Sequence, residues 1–360
     1  MVNVDAVTRR EGQGPTPPSS PLSSSSSSSR SILPPITTLF VWDFDWTIVN
    51  CNSDEYVPSH FLGDAETESR LRDMIIARGH ERWHECVSDL VNDCVAEFGL
   101  TLYDVLDAAS SMPYLTDVRG AIEDVGRDIT CGQAIISDGN DSFIGAFLTK
   151  NGMDAYFTHG VMTNMGRWDD NDQYVDEKVD EAVIGGGGGD AGDNTRVTSG
   201  KGKHVFRVVH QSSIYGGHTS AHCPPNLCKS QVLLDILDRT TETTNTTTKT
   251  TTSTRKGRPR VVYVGDGSND ACPALHVLNE RDVLLARDGR RICNPNSMMG
   301  VQLDEEDDSA LTGDEFGILP TIERRKKKEG ARHPRCRVQT WNSGRQLRSL
   351  VRDILNEASS

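Results

Sequence analysis

The run Thr38-Leu39-Phe40-Val41-Trp42 stops abruptly at Asp43, and Val261-Val262-Tyr263-Val264 gives way to Gly265-Asp266. A strand with one wet face alternates apolar and polar residues. Runs without alternation need cover on both faces, which is the signature of a parallel sheet between layers of helices. Gln133 to Ser137 and Val283 to Ala286 read as further strands of this kind. Helical patterns lie between them: residues 117–127 with Val118, Ile122 and Val125 on one face, a segment with Phe143, Phe147 and Leu148, and Asn226 to Arg239 with Val232, Leu233, Ile236 and Leu237 inward. The fold class is therefore α/β, a parallel sheet flanked by helices. Such sheets bind ligands beyond the carboxyl ends of their strands, so the polar residues ending each run are the place to look for chemistry.

One stretch breaks the alternation. Residues 56–115 carry helical patterns at Arg72 to Ala77, Trp83 to Phe98 and Leu102 to Ala109, with no strand among them. They read as a helical cap inserted after the first strand, dividing the core into 37–55 and 116–358. Residues 1–36 hold seven consecutive serines, Ser23 to Ser29, and are expected to be disordered, because they cannot bury enough apolar surface to offset chain entropy. Arg9 and Arg10 would suit a transit peptide, but Asp5 and Glu11 argue against one. Three further segments read as disordered insertions: about 167–203 (acidic, then Gly185 to Gly189), 240–257 (threonine-rich) and 303–334 (acidic, then basic). The basic run Arg324 to Lys328 reads as a solvated loop balanced by the acidic stretch before it.

The net charge of −14 disfavours a nucleic-acid binder. No window approaches a membrane span, and the first 30 residues lack the apolar stretch of a secretory signal, so none is expected. Nine cysteines scattered over 360 residues suit reduced thiols in a cytoplasmic protein better than a disulfide framework.

Four strand ends or helix starts carry the chemistry. Asp43-Phe44-Asp45-Trp46-Thr47 sets two carboxylates two residues apart, a pair that persists comfortably only with a cation between them or with one protonated. Ser137-Asp138-Gly139-Asn140 offers a hydroxyl and backbone N–H groups suited to a phosphate, though it is also ordinary turn chemistry. Lys229 opens an amphipathic helix against its dipole; read alone it is a surface lysine, but the mild cost makes sense if the ammonium neutralises a bound phosphate. Gly265-Asp266-Gly267-Ser268-Asn269-Asp270 places two carboxylates across a tight turn, an oxygen-only donor set suited to Mg²⁺.

Taken in order, Asp-x-Asp, Ser, Lys and Asp resemble the haloacid dehalogenase superfamily of phosphohydrolases. Asp43 to Val49, Asn52-Ser53-Asp54, His218 to Lys229 and Gly265 to Pro273 are similar to its phosphoethanolamine/phosphocholine phosphatase family. The similarity leaves out the serine tract and the insertions. Trp46, Ser220 and Ala271 depart from the residues usual in that family. The resemblance implies a HAD-like Rossmannoid core with a small all-helical cap, and a Mg²⁺-dependent phosphomonoesterase. Asp43 is then the nucleophile and Asp45 the general acid/base; Ser137, Lys229 and Thr47 serve the phosphate; Asp43, Asp45 (through its carbonyl), Asp266 and Asp270 serve the metal. Asp54 and Asp138 face the substrate's amine end, where Trp46 or Tyr56 could add a cation–π contact. Pyridoxal 5′-phosphate is the alternative substrate, and from another class, a catalytically silent interaction scaffold. The implied partner is a small phosphomonoester, with no nucleic acid and no membrane. His218, His222, Cys223 and Cys228 invite a zinc reading, but C-x4-C is unusual spacing and a packed loop before Lys229 is preferred. Cys86 and Cys94 read as core residues.

Overall fold

A computed structural model describes residues 36–171, 203–212, 223, 226–245, 257–288, 290–291, 311–312, 317–329 and 334–359. The serine tract, His218, Ser220 and His222, and most of the three insertions lie outside them. A seven-stranded sheet runs in the order β4-β3-β2-β1-β5-β6-β9. Its strands are β1 (Thr38–Trp42), β2 (Cys131–Asn140), β3 (Val161–Asn171), β4 (Lys203–Val209), β5 (Arg260–Gly265), β6 (Val283–Arg287) and β9 (Arg337–Trp341). A separate two-residue ribbon pairs β7 (Arg290–Arg291) with β8 (Leu311–Thr312). All neighbours in the large sheet are parallel except β3 and β4.

The helices are α1 (Ser53–Leu62), α2 (Asp64–Arg78), α3 (Trp83–Phe98), α4 (Leu102–Ser110), α5 (Thr116–Gly126), α6 (Asp141–Lys150), α7 (Lys229–Asn245), α8 (Ala271–His276), α9 (Ile318–Glu329) and α10 (Gly344–Ser359). The central strands are covered on both sides, as their unbroken apolar runs require. Phe40, Trp42, Val262 and Val264 pack with α5, α6 and α10, whereas Leu39, Val41, Val261 and Tyr263 pack with α7, α8 and α9. Cys86 and Cys94 are buried.

The helical region after β1 starts earlier than its periodicity suggests. Asn52 caps α1 by accepting from the Asp54 N–H at 3.1 Å. Thr101 and Asp104 cap α4 reciprocally, and Gly99 ends α3 in the left-handed conformation that costs glycine nothing.

The expected insertions differ from the observed elements in three places. Residues 167–171 and 203 belong to a β-hairpin, β3–β4, whose Phe206 is fully buried and stacks on Phe143 at 5.3 Å. Helix α7 runs on to Asn245, into the threonine-rich segment. Residues 318–329 form α9, with Ile318 and Ile322 in the core and the basic run along the helix, because those two apolar residues sit one turn apart. Among the described residues no helix is long and apolar enough to cross a membrane.

Candidate active site

The register of the three central strands fixes the site. Trp42 lies opposite Ile135 of β2 and Val264 of β5, so the residues that follow converge at one edge. The Asp43 N–H donates to the Val264 carbonyl at 2.8 Å. The carboxylate oxygens of Asp43, Asp266 and Asp270 come within 4.8 Å of one another, all buried. Lys229, the first residue of α7 and only 1% exposed, places its Nζ 2.7 Å from Asp43 Oδ2 and 2.8 Å from Asp270 Oδ1. Burial raises the Asp43 pKa well above the ordinary carboxylate range; Asp270 adds to this and Lys229 opposes it. For Lys229 itself, burial pulls the other way, but Asp270 and Asp43 together hold the ammonium firmly charged.

Asp270 is fully committed. Its Oδ1 accepts from Lys229 and from the Tyr263 hydroxyl, both at 2.8 Å, and its Oδ2 accepts from the N–H groups of Asp266 (3.2 Å) and Gly267 (3.0 Å). It orients Lys229 and shapes the turn that carries Asp266. Gly265 is required here: a Cβ would stand 2.6 Å from Asp270 Cγ. The Asp266 carbonyl also accepts from Ile318 N–H at 3.1 Å, so α9 buttresses the loop. A hard divalent cation suits this oxygen-only donor set, with Asp43 and Asp266 the residues placed to ligate it and Asp270 behind them.

Next to this cluster is a small polar cradle. Asp45 accepts from the Ser53 N–H at 2.8 Å and the Ser53 hydroxyl at 3.2 Å. Burial raises its carboxyl well above the usual range, with Asp54 adding to the effect. Ser137 is fully buried and its Oγ accepts from Gly139 N–H at 3.1 Å. A Cβ on Gly139 would stand 3.3 Å from Ser137 Oγ, 3.4 Å from Ser53 Oγ and 3.6 Å from Asp45 Oδ2, so glycine keeps the space between these groups open. Thr47 is buried, and its Oγ1 has no hydrogen-bond partner among the described residues.

Helix α3 closes the other end. Trp83 Nε1 donates to Asp54 Oδ2 at 2.8 Å, while Asp54 Oδ1 is buried with no partner among the described residues. Burial raises the Asp54 pKa, and His84 and Trp83 oppose that. Asp138 Oδ2 accepts from Asn269 Nδ2 at 2.9 Å. Its carbonyl lies 2.9 Å from His84 Nε2 and accepts from Asn164 Nδ2 at 2.7 Å. The rings of His84 and His210 are 5.0 Å apart.

The contacts above bring Asp43, Asp266, Asp270 and Lys229 into one cluster and set Asp45, Ser137, Asp54 and Asp138 around it, whereas Thr47 is buried in the loop after β1, its hydroxyl without a hydrogen-bond partner among the described residues. Ser53, Trp83, His84, Asn164, Tyr263 and Asn269 were not foreseen as participants. Ser53 lies inside the Asn-Ser-Asp motif already singled out, and Asn269 inside the glycine-flanked turn. The other four come from a helix or from strand interiors, with no local pattern to mark them. Tyr56, expected as a cation–π candidate, donates its hydroxyl to the Ser111 carbonyl at 3.1 Å and ties α1 to the end of α4. Trp46 is half-buried with a left-handed φ of 54°.

The family described as "Putative Phosphatase" matches residues 38–179 and 193–306. The match takes in most of the chain, and the chain belongs to that phosphatase family. It is 25% identical over 276 residues to pyridoxal phosphate phosphatase PHOSPHO2 of Mus musculus, covering 76% of this chain and 91% of that protein. It is 24% identical over 250 residues to inorganic pyrophosphatase 2 of Arabidopsis thaliana, covering 69% and 70%. An apo phosphoserine phosphatase crystal structure matches at a TM-score of 0.38 and 14% identity, covering 69% of this chain and 86% of that one.

Proposed function

We propose that this phosphatase hydrolyses small cationic phosphomonoesters, with phosphoethanolamine and phosphocholine the leading candidates, through a phosphorylated Asp43. The observation that carries the chemistry is Lys229, one buried ammonium shared between Asp43 and Asp270 at the meeting point of three strand ends. It aligns the Asp43 carboxylate and offers positive charge to a phosphoryl group that approaches it. Asp43 attacks phosphorus and displaces the alcohol. Asp45, held by both hydrogen-bonding groups of Ser53, gives its proton to the leaving oxygen and then takes one from the water that hydrolyses the aspartyl-phosphate. Ser137 and Thr47 supply hydroxyls to the phosphoryl oxygens, and the open face of Gly139 leaves room for them. A Mg²⁺ ion held by Asp43, Asp266 and the Asp45 carbonyl would supply further charge neutralisation.

For the leaving group, the supporting observation is the buried Oδ1 of Asp54, which has no hydrogen-bond partner among the described residues. An acceptor stranded away from water is costly, and an ammonium on the substrate would satisfy it, with Asp138 on the same side. A second reading, pyridoxal 5′-phosphate, draws on the His84–His210 pair at that end, which suits an anionic ring oxygen, and on the activity named for the murine relative. Specificity constants for phosphoethanolamine, pyridoxal 5′-phosphate and an aryl phosphate, measured with Mg²⁺ and with excess chelator, separate these readings. The expected result is a preference for the cationic substrate that Asp54→Asn cuts by about 5- to 150-fold, with a smaller effect on the aryl phosphate, and no turnover in chelator. Equal losses on all three substrates would assign Asp54 to support of the loop. A preference for pyridoxal phosphate that survives Asp54→Asn would favour the second reading.

A further inference from the structure

The loop before Lys229 and the helix after Asp270 meet at sulfur. Cys223, Cys228 and Cys272 bring their Sγ atoms within 4.8 Å of one another, with Cys223 and Cys228 at 3.6 Å. Cys228 and Cys272 are buried and Cys223 is half-buried. We infer that these three residues form a thiolate site for a zinc ion, separate from the carboxylate site and independent of the function proposed above.

The spacing and the number of the sulfurs suit a metal. Two sulfurs bound to one zinc at about 2.3 Å in tetrahedral geometry lie about 3.8 Å apart, close to the Cys223–Cys228 separation. A disulfide would need about 2.05 Å and would engage two sulfurs, leaving the third unexplained. Here three converge, one of them delivered by a different element 44 positions beyond Cys228. The Ser230 hydroxyl donates to Cys272 Sγ at 2.9 Å, a contact that supports a thiolate better than a thiol, as outer hydrogen bonds do around metal ligands. Cys228 also immediately precedes the 17-residue helix α7, whose amino end favours negative charge. On binding, each ligating thiol gives its proton to solvent, and a further donor completes four-coordination. Soft sulfur selects zinc and leaves Mg²⁺ to the carboxylates.

The consequence is mechanical. Cys228 adjoins Lys229, and Cys272 lies two residues past Asp270. One ion would staple together the two segments whose side chains meet at the 2.8 Å Lys229–Asp270 contact.

The test is metal content of the full chain, purified with reductant and desalted into Mg²⁺ buffer. Elemental analysis is expected to find about one zinc per chain, lost in Cys223→Ser and Cys272→Ser. It should be kept in Cys131→Ser, which lies at the start of β2, and in Asp266→Asn, which separates this ion from the carboxylate site. If the cluster variants fail to fold, replacement of zinc by Co²⁺ in the unaltered protein decides: the expected result is a thiolate-to-cobalt charge-transfer band. Metal-free reduced protein without that band, zinc unchanged by both cluster substitutions, or a Cys223–Cys228 disulfide in its place would overturn the inference.

Discussion

Where α10 lies on α5, Asp124 meets Arg348 at 2.8 Å and Arg352 at 2.8 Å, and Arg348 also reaches Asp117 at 3.2 Å. Beyond the carboxyl ends of β1, β2 and β5, by contrast, Asp43, Asp266 and Asp270 crowd together, with Asp45, Asp54 and Asp138 nearby and the Lys229 ammonium shared between two of them. Both are clusters of charge on the same α/β frame. In the first, two acids are answered by three guanidinium groups at a partly solvated surface, Arg127 also reaching Asp124 at 2.7 Å, and the Asp124 pKa is lowered: burial opposes this, but the hydrogen bonds from Arg348 and Arg352 outweigh it. In the second, burial and like charge raise Asp43, Asp45 and Asp54 together. A matched cluster holds two helices. An unmatched one is a cost to folding that a bound cation and a positively buttressed phosphoryl group would relieve. The contrast predicts that substitutions in the two places trade off activity and stability in opposite ways.

The largest separation should come from Asp43→Asn. Turnover is expected to fall by at least about 10³-fold, while the thermal midpoint stays level or rises, because one of several buried like charges is gone. Turnover within tenfold of the parent would remove Asp43 as nucleophile. Lys229→Met attacks the same cluster from the other side. It strands Asp43 and Asp270 without their shared cation, so both quantities should drop: kcat/KM by about 10²- to 10³-fold and stability by about 3 kcal/mol, read by steady-state kinetics and denaturant unfolding. A stable, active Lys229→Met protein would show that the cluster is not charge-limited. Asp124→Asn should have the smallest effect, about 1 kcal/mol of stability with kcat/KM unchanged. Its pH dependence has a defined sign. The folded pKa is depressed, so the contribution is present above the unfolded carboxyl value of about 4 and is lost as pH falls through the folded one. The gap in unfolding midpoint between parent and variant should therefore close in acid and persist at neutral pH.

The sequence displays this contrast only in part. The strand ends at Asp43 and Asp266 are legible because buried parallel strands are unbroken apolar runs, and anything polar at their ends is conspicuous. Ser137 and Lys229 are legible as a strand end and a helix start. The β3–β4 hairpin is not. Met162 to Asn171 mixes polar and apolar residues and runs into an acidic stretch, and its burial rests on tertiary contacts. Phe206 packs on Phe143 and Trp168, and Asn92 of α3 both donates to the Phe206 carbonyl at 3.0 Å and accepts from its N–H at 2.8 Å. Helix α1 was obscured by Pro58 inside it. The roles within the site divide the same way. That Asp266 and Asp270 share a turn is visible in the spacing. That Asp270 spends all its acceptor capacity on Lys229, Tyr263 and two backbone N–H groups requires the fold, as does the approach of Trp83 to Asp54 across 29 positions.

The central claim is that the unmatched carboxylate cluster exists to make and break a phosphoryl bond to Asp43. Rapid acid quench of the enzyme during turnover of a radiolabelled phosphomonoester, followed by peptide mapping, tests it directly. The account predicts a hydroxylamine-labile phosphate on the peptide carrying Asp43, absent in Asp43→Asn and accumulating when Asp45→Asn slows its hydrolysis. Steady turnover with no protein-bound phosphate at any quench time, or label on a peptide lacking Asp43, would contradict it.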